Sequence, residues 1–154
     1  MHAISQSAVW IKQPSADAGV VIVTSAALPQ YMIDKLHVAI DDWDQVAYLV
    51  IKQSEALRVD WLRAGSNPEN SAGGDACFVS QLLCSVSHGS FLLDVEVGMV
   101  SGLTWLGSVC GHPLRVVELG KIASSTAAMD QQVEEVLSAA RSLAKSLLQA
   151  RGVI

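Results

Sequence analysis

The sequence predicts an α+β domain: an antiparallel sheet of about five to seven strands, packed with one central helix and a long amphipathic helix at the C-terminus. Three observations predict it. A β-branched run, VVIVT (20–24), is followed by Met32, Ile33, Leu36, Ile40 and Trp43 at helical spacing. From Ala76 to Leu119, short apolar runs are separated by glycine-containing turns, as in a meander. Beyond Asp130, Val133, Val136, Leu137, Ala140, Leu143, Ala144, Leu147 and Leu148 share one helical face.

Taken in order, the elements begin with an apolar patch, AVWI (8–11), and a breaker stretch, QPSADAG, ahead of the 20–24 strand. Ser25 is a candidate cap and Pro29 falls where a first helical turn tolerates it, so the spacing predicts a helix over about 28–42. QVAYLVIK (45–52) reads as a second strand. In ALRVDWLR (56–63), Leu57, Val59 and Trp61 alternate with Arg58 and Asp60, which predicts a hairpin turning at Ser54 and Glu55. Residues 64–75, AGSNPENSAGGD, have the composition of a mobile surface loop within a single domain spanning 1–154. Four meander strands follow, with turns at about 88–89, 99–102 and 111–112. The last helix, from about Asp130 to Arg151, places Asp130, Glu134 and Glu135 near its start and Arg141, Lys145 and Arg151 later, which suits the helix dipole, and Gly152 suits its stop.

Composition narrows the function classes. At 154 residues and 16.3 kDa the chain is long enough for one real core. It is 51% hydrophobic and only 16% charged, with a mean hydropathy of +0.36, so it carries more apolar surface than an average domain of its size. No run reaches the roughly 18 apolar residues that span a bilayer, and the N-terminus lacks the basic and apolar regions of a secretory signal, so the expected location is the cytoplasm. A net charge of −5 with singly scattered Lys and Arg gives no basic stripe for nucleic acid. Three cysteines at irregular spacing read as thiols rather than a disulfide framework.

No motif signals a catalytic or cofactor site. GxGxxG, GxxxxGK[ST], GxSxG, HExxH and EF-hand patterns are all missing from the sequence, and neither a catalytic residue nor a cofactor is expected. His88, in SHGS (87–90), is explained by the turn itself, since glycine second in a two-residue turn accepts positive φ and histidine tolerates that region better than most residues. Cys77, Cys84, His88, Cys110 and His112 are all possible zinc ligands, but meander register holds the 88 and 111 turns roughly 10 Å apart, so no metal is expected. The same register puts Cys84 and Cys110 on the face of Phe91, Leu93, Val95 and Val97. Asp41, Asp42 and Asp44 read as a solvated face, and Asp94 and Glu96 as the wet side of a strand.

That opposite face also carries Leu83, Leu92, Trp105, Val109, Leu114 and Val116. Six apolar side chains in one patch need a cover, either a helix of the same chain or a partner, with Trp105 as the aromatic that would anchor an interface. The first expectation is a non-enzymatic, dimeric binding or adaptor protein that holds a second copy or a protein client on an apolar sheet face or helix groove. Small size, an acidic pI near 5.2 and the amphipathic last helix are similar to the general description of bacterial secretion chaperones. The element order resembles the helix-grip layout of START and polyketide-cyclase-like ligand-binding proteins, which implies the alternative: a small apolar ligand in a cavity between the last helix and the sheet, with modest catalysis by His37, His88 or an acidic residue. A pure turn role for His88 has a measurable consequence. His88→Asn leaves the unfolding free energy within about 0.5 kcal/mol of that of the natural chain, read by urea unfolding.

Overall fold

A computed structural model describes residues 4–65, 77–87, 89–98 and 102–150. The described residues form five strands, four α-helices and two short 3-10 turns: a 3-10 turn at Ile4–Gln6, β1 (Ala8–Lys12), β2 (Val20–Ser25), α1 (Gln30–Ile40), β3 (Val46–Ile51), α2 (Ser54–Gly65), α3 (Phe78–Cys84), β4 (Phe91–Val97), a 3-10 turn at Thr104–Ser108, β5 (Leu114–Gly120) and α4 (Thr126–Ala150). The strands form one sheet in the order β1-β3-β2-β4-β5. The α+β class and the long C-terminal helix stand, but the sheet is mixed, not antiparallel. Only β1 runs antiparallel, against β3, whereas β3, β2, β4 and β5 are parallel neighbours.

Parallel strands cannot be joined by tight turns, so each connection must cross a face of the sheet. That requirement accounts for most departures from the sequence expectation. Residues 56–63 are not the second strand of a hairpin but the body of α2, in which Leu57, Trp61 and Ala64 keep helical spacing and pack on the sheet. Glu55 and Arg58, one turn apart, form an exposed ion pair at 3.0 Å on its outer side. The first meander strand is instead α3, whose Phe78 amide donates to the Asp60 carboxylate of α2 at 3.1 Å. The third is the Thr104–Ser108 turn. No meander forms, and the alternation of strand and helix also departs from the helix-grip order. The loop expected at 64–75 falls almost entirely outside the described residues, as does His88.

Helices cover both faces. On one, Met32, Ile33, Leu36 and Ile40 of α1 and Val133, Val136, Leu137 and Ala140 of α4 pack against Val20, Ile22, Val46, Tyr48, Val50, Leu93 and Val95. On the other, Leu57 of α2, Val79 and Leu83 of α3, and Leu103 and Leu106 at the second 3-10 turn cover Val21, Val23, Ala47, Leu49, Ile51 and Leu92. Both helical stripes read from the sequence are the buried ones. Ser25 caps a turn rather than α1, accepting from the Ala27 amide at 3.2 Å, and Pro29 precedes the helix in extended conformation.

Three polar devices hold the layers in place. The β1–β3 register shifts between Trp10 and Lys12, and the Lys12 ammonium donates to the carbonyls of Ile40 and Trp43, where the α1 dipole ends. Tyr48 hydroxyl and Thr24 hydroxyl share a buried hydrogen bond of 2.8 Å between β3 and β2, and burial raises the Tyr48 hydroxyl pKa. Gln132 of α4 accepts from the Ala123 amide at 3.1 Å and donates to Lys121 carbonyl at 3.0 Å, fixing the entry into that helix. β4 and β5 stop together: Gly98 and Gly120 have φ of +79° and +66°, and the Gly98 amide donates to Gly120 carbonyl at 2.8 Å.

Ile22 lies in β2, the strand flanked on both sides by parallel neighbours, and is 0% exposed. Ile22→Ala lowers unfolding free energy by about 2–5 kcal/mol in chemical denaturation, because a closed two-layer core cannot collapse onto the lost methyls.

Candidate functional site

β4 carries the chemistry that the sequence reading placed in water. Leu92, Asp94 and Glu96 alternate onto the face covered by α2, α3 and the Thr104–Ser108 turn. Asp94 sits between Val23 of β2 and Val116 of β5 in the ladder and is 0% exposed, and Glu96 is 6% exposed. The expectation of a wet strand side is therefore overturned. A strand with parallel neighbours on both edges and helices over both faces has no wet side.

The two carboxyls are treated differently. Glu96 accepts from the backbone amides of Leu103 at 3.0 Å and Gly102 at 3.3 Å, and so ties the end of β4 to the start of the second 3-10 turn. Among the described residues neither oxygen of Asp94 has a hydrogen-bond partner. Burial, reinforced by the neighbouring Glu96 carboxyl, pushes the Asp94 pKa up to about 9, so the side chain is held as a neutral acid at pH 7. A carboxyl so placed can store a proton, but acid–base work on a substrate requires contact, and at 0% exposure Asp94 meets no solute in this conformation.

The six residues expected on an uncovered face come partly together. Leu92 is 0% exposed beneath the chain's own helices, and Leu83 is 0% exposed on the inner side of α3 itself. Trp105, Val109 and Leu114 are half-buried against the same cluster. Trp105 stacks on Trp61 of α2 with ring centroids 5.3 Å apart, and its indole N–H donates to Gly102 carbonyl at 3.1 Å. Val116 alone of the six is well exposed, at 42%. The Thr104–Ser108 turn presses close to β5: a Cβ on Gly107 would stand 3.3 Å from that of Leu114.

The other candidates disperse. His37 is half-buried beside a shallow depression of about 150 Å³ lined by Val38 and Asp41. Asp41, Asp42 and Asp44 are exposed. His112 is 4% exposed with Nε2 3.0 Å from Leu83 carbonyl. Cys84 and Cys110 lie beside α3 and the second 3-10 turn rather than on the Leu93 and Val95 face. Among the described residues, no group of three or more His, Cys, Asp and Glu side chains is placed to hold a metal ion. No described helix is long and apolar enough to cross a membrane. No protein family matches the sequence, and no curated protein is significantly similar to it.

The sequence reading missed the burial of Asp94 and the capping role of Glu96. A signal existed: the helical spacing of Leu57, Trp61 and Ala64 puts a crossover helix between β3 and β4, which makes β4 an interior strand. The raised Asp94 pKa has a signed consequence. The unfolded carboxyl ionises near 3.8 and the folded one near 9, so the folded state binds the extra proton between these values and stability falls as pH rises through that window. Asp94→Asn removes the loss. Its unfolding free energy gains on that of the natural chain by about 1.4 kcal/mol per pH unit between about pH 5 and pH 8, measured by urea titration at each pH.

Proposed function

We propose that this is a non-enzymatic binding protein that adds an extended polypeptide to the β5 edge of its sheet, in the first instance the β5 strand of a second copy. The observation that carries the reading is the position of β5. It ends the sheet, and among the described residues its strand partner is β4 alone. A strand in that position offers a row of unpaired amides and carbonyls to a partner chain.

The two edges of the sheet differ in a way that favours β5. β1 has only five residues and ends in Lys12, features that discourage further pairing, whereas a register shift occurs in both edge pairings. β5 has seven residues, with β-branched Val116 and Val117 at its centre. Val116 shares a face with Leu114, and Trp105, Val109 and Leu114 continue as a half-buried apolar strip around the nearby turn. An added strand would cover Val116 and rest against that strip. The apolar surplus seen in the composition thus has an outlet smaller than a whole sheet face, since Leu92 is covered by the chain's own helices and Leu83 is one of the residues of α3 that cover the sheet.

A second reading, a small-molecule site against the last helix, is favoured by a groove of about 440 Å³ between α4 and the start of β3, lined by Trp43, Val46, Arg141, Ala144, Lys145 and Leu148. Arg141 lies over the Trp43 ring at 5.3 Å, so an apolar ligand with an acidic end would suit its chemistry, and its binding would change Trp43 fluorescence.

The edge reading is tested by light scattering across a concentration series. The natural chain runs as a dimer, and Val116→Lys weakens association at least ~10-fold with an unchanged far-UV spectrum, because two copies then bring ammonium groups together across the seam. A natural chain that stays monomeric at every concentration and takes up no extended peptide would remove the reading.

A further inference from the structure

Cys84 closes α3, and Cys110 lies just past the Thr104–Ser108 turn, 26 positions later, yet their Sγ atoms stand 2.8 Å apart. A disulfide bond is about 2.05 Å long, so the two sulfurs already stand within about 1 Å of bonding distance. The approach is built into the fold. His112 Nε2 lies 3.0 Å from Leu83 carbonyl, one residue before Cys84, and the Cys110 thiol points at Ser80 carbonyl on the preceding turn of α3 at 4.0 Å. These contacts pin the 110–112 segment along the end of α3.

The pair is also asymmetric. Cys84 is exposed and Cys110 half-buried, whereas Cys77, the third cysteine, is buried with its thiol 3.0 Å from the Ser80 hydroxyl. We propose that Cys84 and Cys110 form a reversible dithiol–disulfide site that reacts with low-molecular-weight disulfides such as glutathione disulfide, with Cys84 as the attacking thiol and Cys110 as the resolving one.

The exchange balances in two steps. Cys84 thiolate attacks one sulfur of glutathione disulfide, the S–S bond breaks, and one glutathione thiolate leaves to take up a proton. Cys110 then loses its proton and attacks the Cys84 sulfur, forming the internal disulfide and releasing the second glutathione. Two electrons pass from the cysteine pair to one glutathione disulfide, which becomes two thiols. Burial and the adjoining Cys84 sulfur push the Cys110 thiol up to about 12, which keeps it protonated while Cys84 attacks first. Once Cys84 is in a mixed disulfide it bears no charge, and that part of the restraint on Cys110 disappears.

The bond would have a structural effect beyond the two residues. It would clasp α3 to the segment that carries Leu103, Trp105 and Leu106, the cover over Asp94 and Glu96. Oxidation would thereby lock the layer that closes this face of the sheet.

The test incubates the natural chain in glutathione redox buffers, traps thiols by alkylation and reads intact mass and linked peptides. The expected product is a monomer-internal Cys84–Cys110 disulfide, two thiols fewer than the reduced chain, with Cys77 still alkylatable after unfolding and full return on adding dithiothreitol. Cys110→Ser should stop at a glutathione adduct on Cys84, while Cys84→Ser should take up no glutathione at Cys110. Amide exchange across 102–113 should slow in the oxidised form. The proposal is overturned if the natural chain also stops at the mixed disulfide, if Cys77 supplies either sulfur, or if the bond forms between chains. Unchanged amide exchange would overturn the clasping effect.

Discussion

The constraint from which the rest of this structure follows is the parallel run β3-β2-β4-β5. A parallel neighbour can be reached only by a chain that crosses a face of the sheet and returns, and such a crossing needs an element long enough to span it. α1 carries the chain from β2 to β3 over one face, while α2 and α3 carry it from β3 to β4 over the other. Because crossovers run on both sides of β2, all of Val20–Thr24 is buried, and so is every residue of β3. A strand composed almost wholly of Val, Ile, Leu, Ala and Tyr is what such a position requires.

The same constraint decides how polar groups behave inside. On the α1–α4 side, Tyr48 and Thr24 satisfy each other across neighbouring strands, so two hydroxyls lie in the core at little cost. On the opposite side, Glu96 meets two backbone amides that would otherwise go unmatched, and Asp94 solves the same problem by keeping its proton. A neutral carboxyl loses far less on leaving water than a carboxylate does. Here burial, not the identity of the residue, sets the charge.

Three features meet around β5. The second 3-10 turn, the Cys84–Cys110 contact and the sheet's open edge all lie on the segment from 84 to 120. Among the described residues, the connection from β4 to β5 carries a 3-10 turn of five residues rather than a full helix. A small cover leaves Trp105, Val109 and Leu114 half-buried and Val116 exposed.

The sequence by itself determined the local elements whose pattern is long and unambiguous. The stripes Met32–Ile33–Leu36–Ile40 and Val133–Val136–Leu137–Ala140 are buried in α1 and α4, VVIVT is a buried strand and VAYLVI is a strand. Tertiary structure decided what short segments become. Leu57, Val59 and Trp61 fit a strand period while Leu57, Trp61 and Ala64 fit a helix period, so two patterns overlap in a short segment, and the need to cross from β3 to β4 goes with the helical one. FVSQLLC is equally ambiguous alone and becomes α3 for the same reason. Strand direction is likewise a property of pairing rather than of any residue, so an alternating stretch such as FLLDVEV cannot declare whether its carboxylates will face water. The neighbours on either side of β4 settle that, and they lie far away along the chain.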